Sequence, residues 1–170
     1  MTDITIGIDN GLDGGLCALR NSDCSIVSYI ATPTHTPYGK REVNLLALHD
    51  WVGSFGFDKV TVCLEEPLKH AKTSQAMRSM AISFGQIDGV YQILRRPVQR
   101  IQVTDWQPVM LGKGRPKGQT KVIALQQARK FWPEEKWLAS NRCKVPHDGI
   151  VDAALIARYY ITKQKHHERN

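Results

Sequence analysis

The chain has 170 residues, which is enough for one domain with a substantial core and too few for two of ordinary size. Hydrophobic residues make up 42% and charged residues 23%, an ordinary balance for a globular protein, and no apolar run is long enough to cross a bilayer. Lysine and arginine outnumber acidic residues by 23 to 16, and the net charge of +7 favours a polyanionic partner such as nucleic acid.

The spacing of the cysteines and the position of the first strand both favour a cytoplasmic location. The cysteines at positions 17, 24, 63 and 143 lack the CxxC spacing of a zinc site or redox motif. We therefore expect reduced thiols in a cytoplasmic protein. The first strand begins within a few residues of Met1, so we expect no signal or transit peptide.

Three short β-prone runs open the chain, over residues 5–9, 16–20 and 26–32. The turn-forming stretches NGLDGG and NSDC separate them, and such close spacing predicts an antiparallel meander. Residues 33–42 are punctuated by proline and are expected to form a loop.

Helices and strands then alternate. We expect, in order, a helix over 44–55, a strand over 59–66, a long helix over 74–94, a strand over 100–103, and helices over 104–111, 120–131 and about 148–163. Thr104 and Thr120 are the expected N-caps of their helices, and Pro108 is expected in a first turn. Helices after the fourth and fifth strands imply parallel additions to the antiparallel start.

This order of elements resembles the ribonuclease H-like folds, in which helices flank a mixed five-stranded sheet. We expect a single α/β domain of that class over residues 1–163. The charged residues 164–170 are expected to form a frayed tail.

Acidic residues from three elements are predicted to meet at one edge of the sheet. Asp9 ends the first strand, and Glu65 and Glu66 end the fourth, so parallel pairing of these strands brings their carboxyl ends together. Asp148 and Asp152 stand four residues apart on one face of the last helix, and the small residues AAL that follow let this helix pack closely on the sheet. Such a cluster repels itself unless cations bind, and oxygen ligands suit Mg²⁺ or Mn²⁺.

Each acidic residue also has a simpler interpretation. Asp9 can be a turn former, and Glu65 or Glu66 can be a solvated strand end. Asp148 can be an N-cap, and Asp152 can be a first-turn acid favoured by the helix dipole. Because side chains alternate along a strand, only one of Glu65 and Glu66 can face Asp9. Glu65 is favoured, since the proline that follows restrains Glu66 to an extended backbone leaving the strand.

The segments IGIDNG, CLEEP and HDGIVDAALIA, in this order, resemble the RuvC-type Holliday junction resolvases, particularly the phage and chloroplast branch. The resemblance covers most of the chain, with AMRSMAISFGQIDGVY as the long helix after the acidic strand. It implies a metal-dependent endodeoxyribonuclease that resolves four-way junctions by paired symmetric nicks, leaving 5′-phosphate and 3′-hydroxyl ends. The expected location is then the cytoplasm of a bacterium or of a phage-infected host.

The resemblance also implies a set of site residues. Asp9, Glu65, Asp148 and Asp152 would be the catalytic and metal-binding acids, holding two Mg²⁺ ions, or Mn²⁺ in their place. The bacterial enzymes often space the last two acids by three residues, whereas this chain spaces them by four, so the role of Asp148 stays open. Glu66 and His147 are weaker candidates, and His147 can equally be a helix-entry residue without chemistry.

Basic residues supply a candidate DNA-binding surface. The loop GKGRPKGQT and the helix after it carry Lys113, Arg115, Lys117 and Lys121. The residues that follow the acidic strand include Lys69, His70, Lys72 and Arg78. Lys121 is the best candidate for reaching the scissile phosphate, although the loop can also be merely solvated.

Paired nicks on a two-fold symmetric junction require a homodimer. The candidate interface is the apolar stripe of the long helix, which comprises Met77, Met80, Ala81, Phe84 and Ile87 with Gly85 among them. The alternative is that this stripe packs only on its own sheet. The tryptophans at positions 106, 132 and 137 are expected in the core rather than as base-stacking platforms.

Three other classes of protein share some of these features. A sugar-kinase or actin-like domain begins with a similar strand and glycine turn but needs two domains. A non-catalytic junction-binding protein would use the basic charge, yet it gives no reason for acids at three separate sites. Another ribonuclease H-like nuclease, acting on other branched DNA or on RNA–DNA hybrids, is the nearest alternative, and the sequence leaves that choice open.

Overall fold

The computed structural model describes residues 3–67, 74–96 and 98–168. Its strands are β1 (Ile4–Ile8), β2 (Gly15–Arg20), β3 (Ile26–Ala31), β4 (Thr34–His35), β5 (Glu42–Val43), β6 (Val60–Glu65) and β7 (Gln99–Ile101). Five of them form one sheet in the order β3-β2-β1-β6-β7. The first three strands pair antiparallel, and β6 and β7 add in parallel, as predicted. Residues 33–42 were expected to be loop only, but β4 and β5 pair there as a short antiparallel ribbon.

The helices are α1 (Leu45–Gly53), α2 (Ser74–Ile93), α3 (Val103–Leu111), α4 (Thr120–Phe131) and α5 (Asp148–His167). Their predicted order is confirmed, but details at their ends were wrong. Residues Gln102 and Gln119, not Thr104 and Thr120, are the N-caps of α3 and α4, and Pro108 lies inside α3 beyond its first turn. The hydroxyl of Thr104 faces the side chain of Gln102, at 3.4 Å, instead of capping a backbone N–H.

Helix α5 is longer than predicted. It was expected to end near Lys163 and continues to His167, and the ammonium group of Lys165 donates to the backbone carbonyl of Ser22 at 2.9 Å. In the part of the chain that the structure describes, no helix is long and apolar enough to cross a membrane.

Two apolar cores sandwich the sheet, because β1 and β2 bury side chains on both faces. One core joins Cys17, Leu19 and Cys63 to helices α3, α4 and α5, and the other joins Ile6, Ile8 and Leu64 to helices α1 and α2. The tryptophans predicted to lie in the core, Trp106, Trp132 and Trp137, are all buried. All four cysteines are free thiols, as expected.

The register of β1 and β6 decides which face carries each acidic residue. Gly7 lies beside Cys63 and Ile8 beside Leu64, so Asp9 and Glu65 follow in step at the carboxyl ends of two parallel strands. Since side chains alternate along a strand, Glu65 shares the face of Cys63, which is the α5 face. The sheet therefore directs Asp9 and Glu65 toward the same helix.

Candidate active site

Helix α5 reaches the sheet edge because glycines remove the side chains between them. A Cβ atom on Gly7 would lie 2.0 Å from the backbone oxygen of Ala153, and one on Gly149 would lie 2.5 Å from the Cα atom of Gly14. Gly14 and Gly149 also form an isolated bridge between the glycine turn and the first turn of α5. The helix that carries Asp152 therefore packs directly against the turn that follows Asp9.

Three carboxyl groups come together at this edge. Glu65 is buried, and Asp9 and Asp152 are half-buried. The charge of Glu65 raises the pKa of Asp9, the charge of Asp9 raises the pKa of Asp152, and the charge of Asp152 raises the pKa of Glu65. A hydrogen bond between the side chains of Asp9 and Glu65 raises the pKa of Asp9 and lowers that of Glu65. The simpler interpretation of Asp9 as only a turn former does not account for this contact.

Burial is the main cause of the raised pKa values in this cluster. It raises the pKa of Asp152 to about 8, with the charges of Asp9 and Asp148 adding to the effect. It raises the pKa of Glu65 to about 7, against the opposing hydrogen bond from Trp106. Burial followed by the charge of Glu65 raises the pKa of Asp9 well above its ordinary value. The metal-free cluster consequently holds protons near neutral pH.

Asp148 lies at the rim of this cluster. It is the first residue of α5 and is exposed, and its Oδ2 atom lies 2.5 Å from the ammonium nitrogen of Lys121. This hydrogen bond raises the pKa of Lys121, and the charges of Asp148, Asp152 and Asp9 add to the effect. Lys121 thus brings a positive charge to the acidic edge.

The N-cap of α5 is His147, not Asp148. The ring nitrogen Nδ1 of His147 accepts from the backbone N–H of Ile150 at 3.4 Å, so one ring nitrogen has a structural role. The interpretation of Asp148 as an N-cap is therefore wrong, and the residue at the helix entry is His147.

Glu66 points away from the cluster. Arg100 lies beside Leu64 in the β6–β7 register, so it shares the opposite face of the sheet with Glu66. Asp88 of α2 pairs with Arg100 at 2.8 Å and is the chief cause of its raised pKa, to which the charge of Glu66 also contributes. The structure thus brings Glu65, and not Glu66, to Asp9.

The predicted DNA-contacting residues fall into three groups. Lys113 and Lys117 are exposed in the loop between α3 and α4, Lys121 is exposed on α4, and Arg78 is exposed on α2. Arg115 instead donates hydrogen bonds to the backbone carbonyls of Gln107 and Gly112 and so fastens the loop to the end of α3. The remaining predicted residues lie outside the described residues; they are Lys69, His70 and Lys72.

The chemistry of the cluster suits a hard divalent cation. Its side chains offer only carboxylate oxygens, the ligands that Mg²⁺ and Mn²⁺ prefer. Among the residues that the structure describes, no group of three or more acidic, histidine or cysteine side chains already has the spacing of a metal site. Cation binding would thus need these carboxylate side chains to rearrange.

Two contacts at the site were not predicted from the sequence. The indole N–H of Trp106 donates to Oε1 of Glu65 at 2.7 Å. The buried side chain of Asn10 donates to the backbone carbonyl of Met80 in α2, at 3.1 Å, and ties the end of β1 to that helix. No sequence pattern signals either contact, because each joins residues at least 41 positions apart.

No protein-family model and no curated protein matches the chain. Solved structures of RuvC from Thermus thermophilus are similar to it. One, in complex with a Holliday junction substrate, has a TM-score of 0.61 and 16% identity and covers 96% of this chain and 95% of that chain. Another has a TM-score of 0.54 and 15% identity and covers 96% of both chains. The chain therefore has the ribonuclease H-like fold of RuvC, as predicted.

Proposed function

We propose that this protein is a divalent-metal-dependent, structure-specific endodeoxyribonuclease that resolves four-way DNA junctions. The observation that carries the proposal is the convergence of Asp9, Glu65 and Asp152 at one sheet edge. Buried carboxyl groups that hold protons near neutral pH are costly for a merely structural site. The similarity to a RuvC structure in complex with a Holliday junction substrate supports the choice of DNA substrate.

Asp9, Glu65 and Asp152 are the proposed ligands of two Mg²⁺ ions, with Mn²⁺ able to substitute and Asp148 as a further ligand. Bound at this edge, divalent cations would supply a nucleophilic water and stabilise the charge on the leaving oxygen. To hold cations, these carboxyl groups would have to lose their protons, and their positions on two strand ends and a helix would restrain the site.

Lys121 has the proposed role of contacting the phosphate that is cut. Its ammonium group lies beside Asp148 at the rim of the acidic edge, so its positive charge is next to the proposed cation-binding carboxylates. Lys113 and Lys117 are exposed on the adjoining loop and are proposed to contact phosphates farther along the strand. Arg115 is proposed to hold that loop in place as well as to contribute charge.

Paired nicks in a symmetric junction would require two copies of the site, so we propose a homodimer. The stripe suggested by the sequence must be revised, because Ile87 is 1% exposed and belongs to the core beneath α2. The exposed residues of this helix that can meet a second copy are Met77, Ala81, Ile82 and Gly85. Cytoplasmic location and membership of the phage and chloroplast branch are further parts of the proposal.

Cleavage of matched substrates tests the proposed activity. The set comprises four-way, three-way, flap, duplex and RNA–DNA hybrid substrates of shared sequence, each with Mg²⁺, with Mn²⁺ and with EDTA. We expect paired nicks in the four-way junction with either cation and none in EDTA, while binding to the junction survives EDTA. Cleavage that persists in EDTA would eliminate the metal-dependent mechanism.

The same set distinguishes the alternatives. Preference for flaps or hybrids would assign another nuclease activity to the fold. Junction binding without cleavage under any condition would favour a non-catalytic binding protein. Asp152→Asn is the matched inactive control, since it removes one charge from the cluster without changing the size of the side chain.

A further inference from the structure

Trp106 contributes the one direct side-chain hydrogen bond that the core makes to the acidic edge, among the residues that the structure describes. Its indole N–H lies 2.7 Å from Oε1 of Glu65, and the ring is completely buried. Glu65 is 6% exposed, so this contact is shielded from water on both sides. A buried hydrogen bond to a carboxylate is stronger than one between neutral groups.

The position of Trp106 follows from the sheet. Ile101 at the end of β7 lies beside Glu65 at the end of β6. Helix α3 begins two residues later and carries Trp106 in its first turns, where it packs with α4 and α5 in the core on the acidic face. The ring is held by that packing, so its N–H has a fixed direction relative to Glu65.

The chemistry of indole suits a group that orients a metal ligand. An indole N–H can donate and cannot accept, so it never competes with a carboxylate for a cation. Because the indole N–H of Trp106 donates to Oε1 of Glu65, Oε2 is the oxygen that this hydrogen bond leaves for a cation. Partners that orient metal ligands in this way typically change metal affinity by about 10–100-fold when they are removed.

We propose that Trp106 is a positioning residue that fixes the Glu65 carboxylate for divalent-cation binding. This inference rests on the proposed function, because it takes Glu65 as a metal ligand. Trp106 itself touches neither the DNA nor the cation in this proposal. Its effect on the reaction passes through the orientation of Glu65.

Trp132 provides a matched control. It is also buried in the same core, and its indole N–H donates to the backbone carbonyl of Cys24 at 2.8 Å rather than to a carboxylate. Trp106→Phe and Trp132→Phe thus remove the same atoms from the same core. Only the first removes a donor from Glu65.

The first measurement is the dissociation constant for Mn²⁺, by isothermal titration calorimetry without DNA. We expect Trp106→Phe to weaken Mn²⁺ binding by about 10-fold or more and Trp132→Phe to change it by less than about 2-fold. Equal affinities of Trp106→Phe and the unaltered protein would overturn the positioning role. If the unaltered protein cleaves junctions and Trp106→Phe keeps full Mn²⁺ affinity, only the positioning role of Trp106 fails. If the unaltered protein neither binds Mn²⁺ nor cleaves junctions, both the positioning role and the proposed function fail.

A second measurement uses the unaltered protein and does not depend on whether a variant folds. The four tryptophans give four indole N–H signals in a nitrogen–proton correlation spectrum. Spectra are then recorded as Mg²⁺ is added to the protein. We expect the Trp106 signal to shift with the same dissociation constant that calorimetry gives for Mg²⁺, while the Trp132 signal stays in place. A Trp106 signal that does not move at saturating Mg²⁺ would refute the proposal.

Discussion

Replacing Gly7 by alanine should move Asp152, on helix α5, away from Asp9, at the end of β1. A Cβ atom there would lie 2.0 Å from the backbone oxygen of Ala153, and real Cβ contacts are essentially never shorter than 3.0 Å. Helix α5 must therefore withdraw from β1 by about 1 Å, because a backbone oxygen cannot rotate aside as a side chain can. Asp152 moves with the helix while Asp9 stays on the strand.

Overpacking of this kind typically costs about 1–3 kcal/mol of the free energy of unfolding. For a protein of this size each kcal/mol lowers the melting temperature by about 2–4 °C, so Gly7→Ala should lower it by roughly 2–12 °C. A misplacement of about 1 Å in a catalytic site can reduce the rate by about 100-fold. Junction cleavage at a temperature where the variant remains folded should fall by about that factor.

Gly89→Ala is the control for Gly7→Ala. Gly89 lies within α2, and a Cβ atom there would have no neighbour within 4 Å. Alanine favours a helix by about 1 kcal/mol over glycine, so this variant should melt no lower than the unaltered protein. If Gly7→Ala melts and cleaves like the unaltered protein, the packing of α5 on β1 does not set the site. If it melts lower yet cleaves at the full rate, the link from packing to catalysis is wrong.

Two further predictions concern protons and phosphates. The pKa of Glu65 is raised to about 7 and that of Asp152 to about 8, so the folded metal-free protein holds protons that the unfolded chain releases near pH 4. Its melting temperature should therefore fall as the pH rises from about 4.5 to 8, and Asp152→Asn should flatten that fall; a melting temperature independent of pH in both proteins would contradict this. Replacing Lys113 and Lys117 by alanine should weaken binding to DNA of every shape. It should also reduce the salt dependence of the DNA-binding constant by up to about two counterions. Lys59→Ala, at the opposite end of the sheet, should change neither quantity. An unchanged salt dependence would mean that the loop is only solvated.

The sheet and the meeting of its acidic ends could be predicted because both follow from local patterns. Short apolar runs and turn residues mark β1 to β3, and parallel strands bring Asp9 and the EE pair to one edge. The ends of the helices were predicted less well. Thr104 and Thr120 are favourable cap residues, but a capping preference of about 1 kcal/mol is too small to fix a helix start against packing.

The contacts that complete the site depend on tertiary packing and leave little trace in the sequence. Glycine at positions 7 and 149 is needed because two backbones nearly touch there, yet each glycine taken alone resembles any turn or strand glycine. The prediction from the sequence relied on the small residues after Asp152. These residues explain why the helix can come close to the sheet, but not why the sheet can come close to the helix. Trp106 was expected in the core and lies there, but its hydrogen bond to Glu65 depends on how α3 sits over the sheet.

Separate substitutions of Glu65 and Glu66 test the assignment of the acidic face. Glu65 shares a face with Cys63, beside Asp9 and under Trp106, whereas Glu66 lies on the face of Leu64. Glu65→Gln keeps the shape of the side chain and an oxygen that can accept from the indole, so the protein should fold and still bind a junction. Because it removes a proposed metal ligand, cleavage should fall by more than the roughly 100-fold typical of losing a ligand's partner.

Glu66→Gln is the matched control, since the same change of charge occurs one residue away. The backbone N–H of Glu66 donates to the carbonyl of Ile101 at 2.8 Å, and this contact is unaffected by the side chain. Its cleavage should stay within a few-fold of the unaltered protein. An inactive Glu66→Gln beside an active Glu65→Gln would reverse the face assignment. Full activity in both variants would mean that Asp9 shares no cation with this strand, and that its place before the glycine turn reflects only the need to end β1.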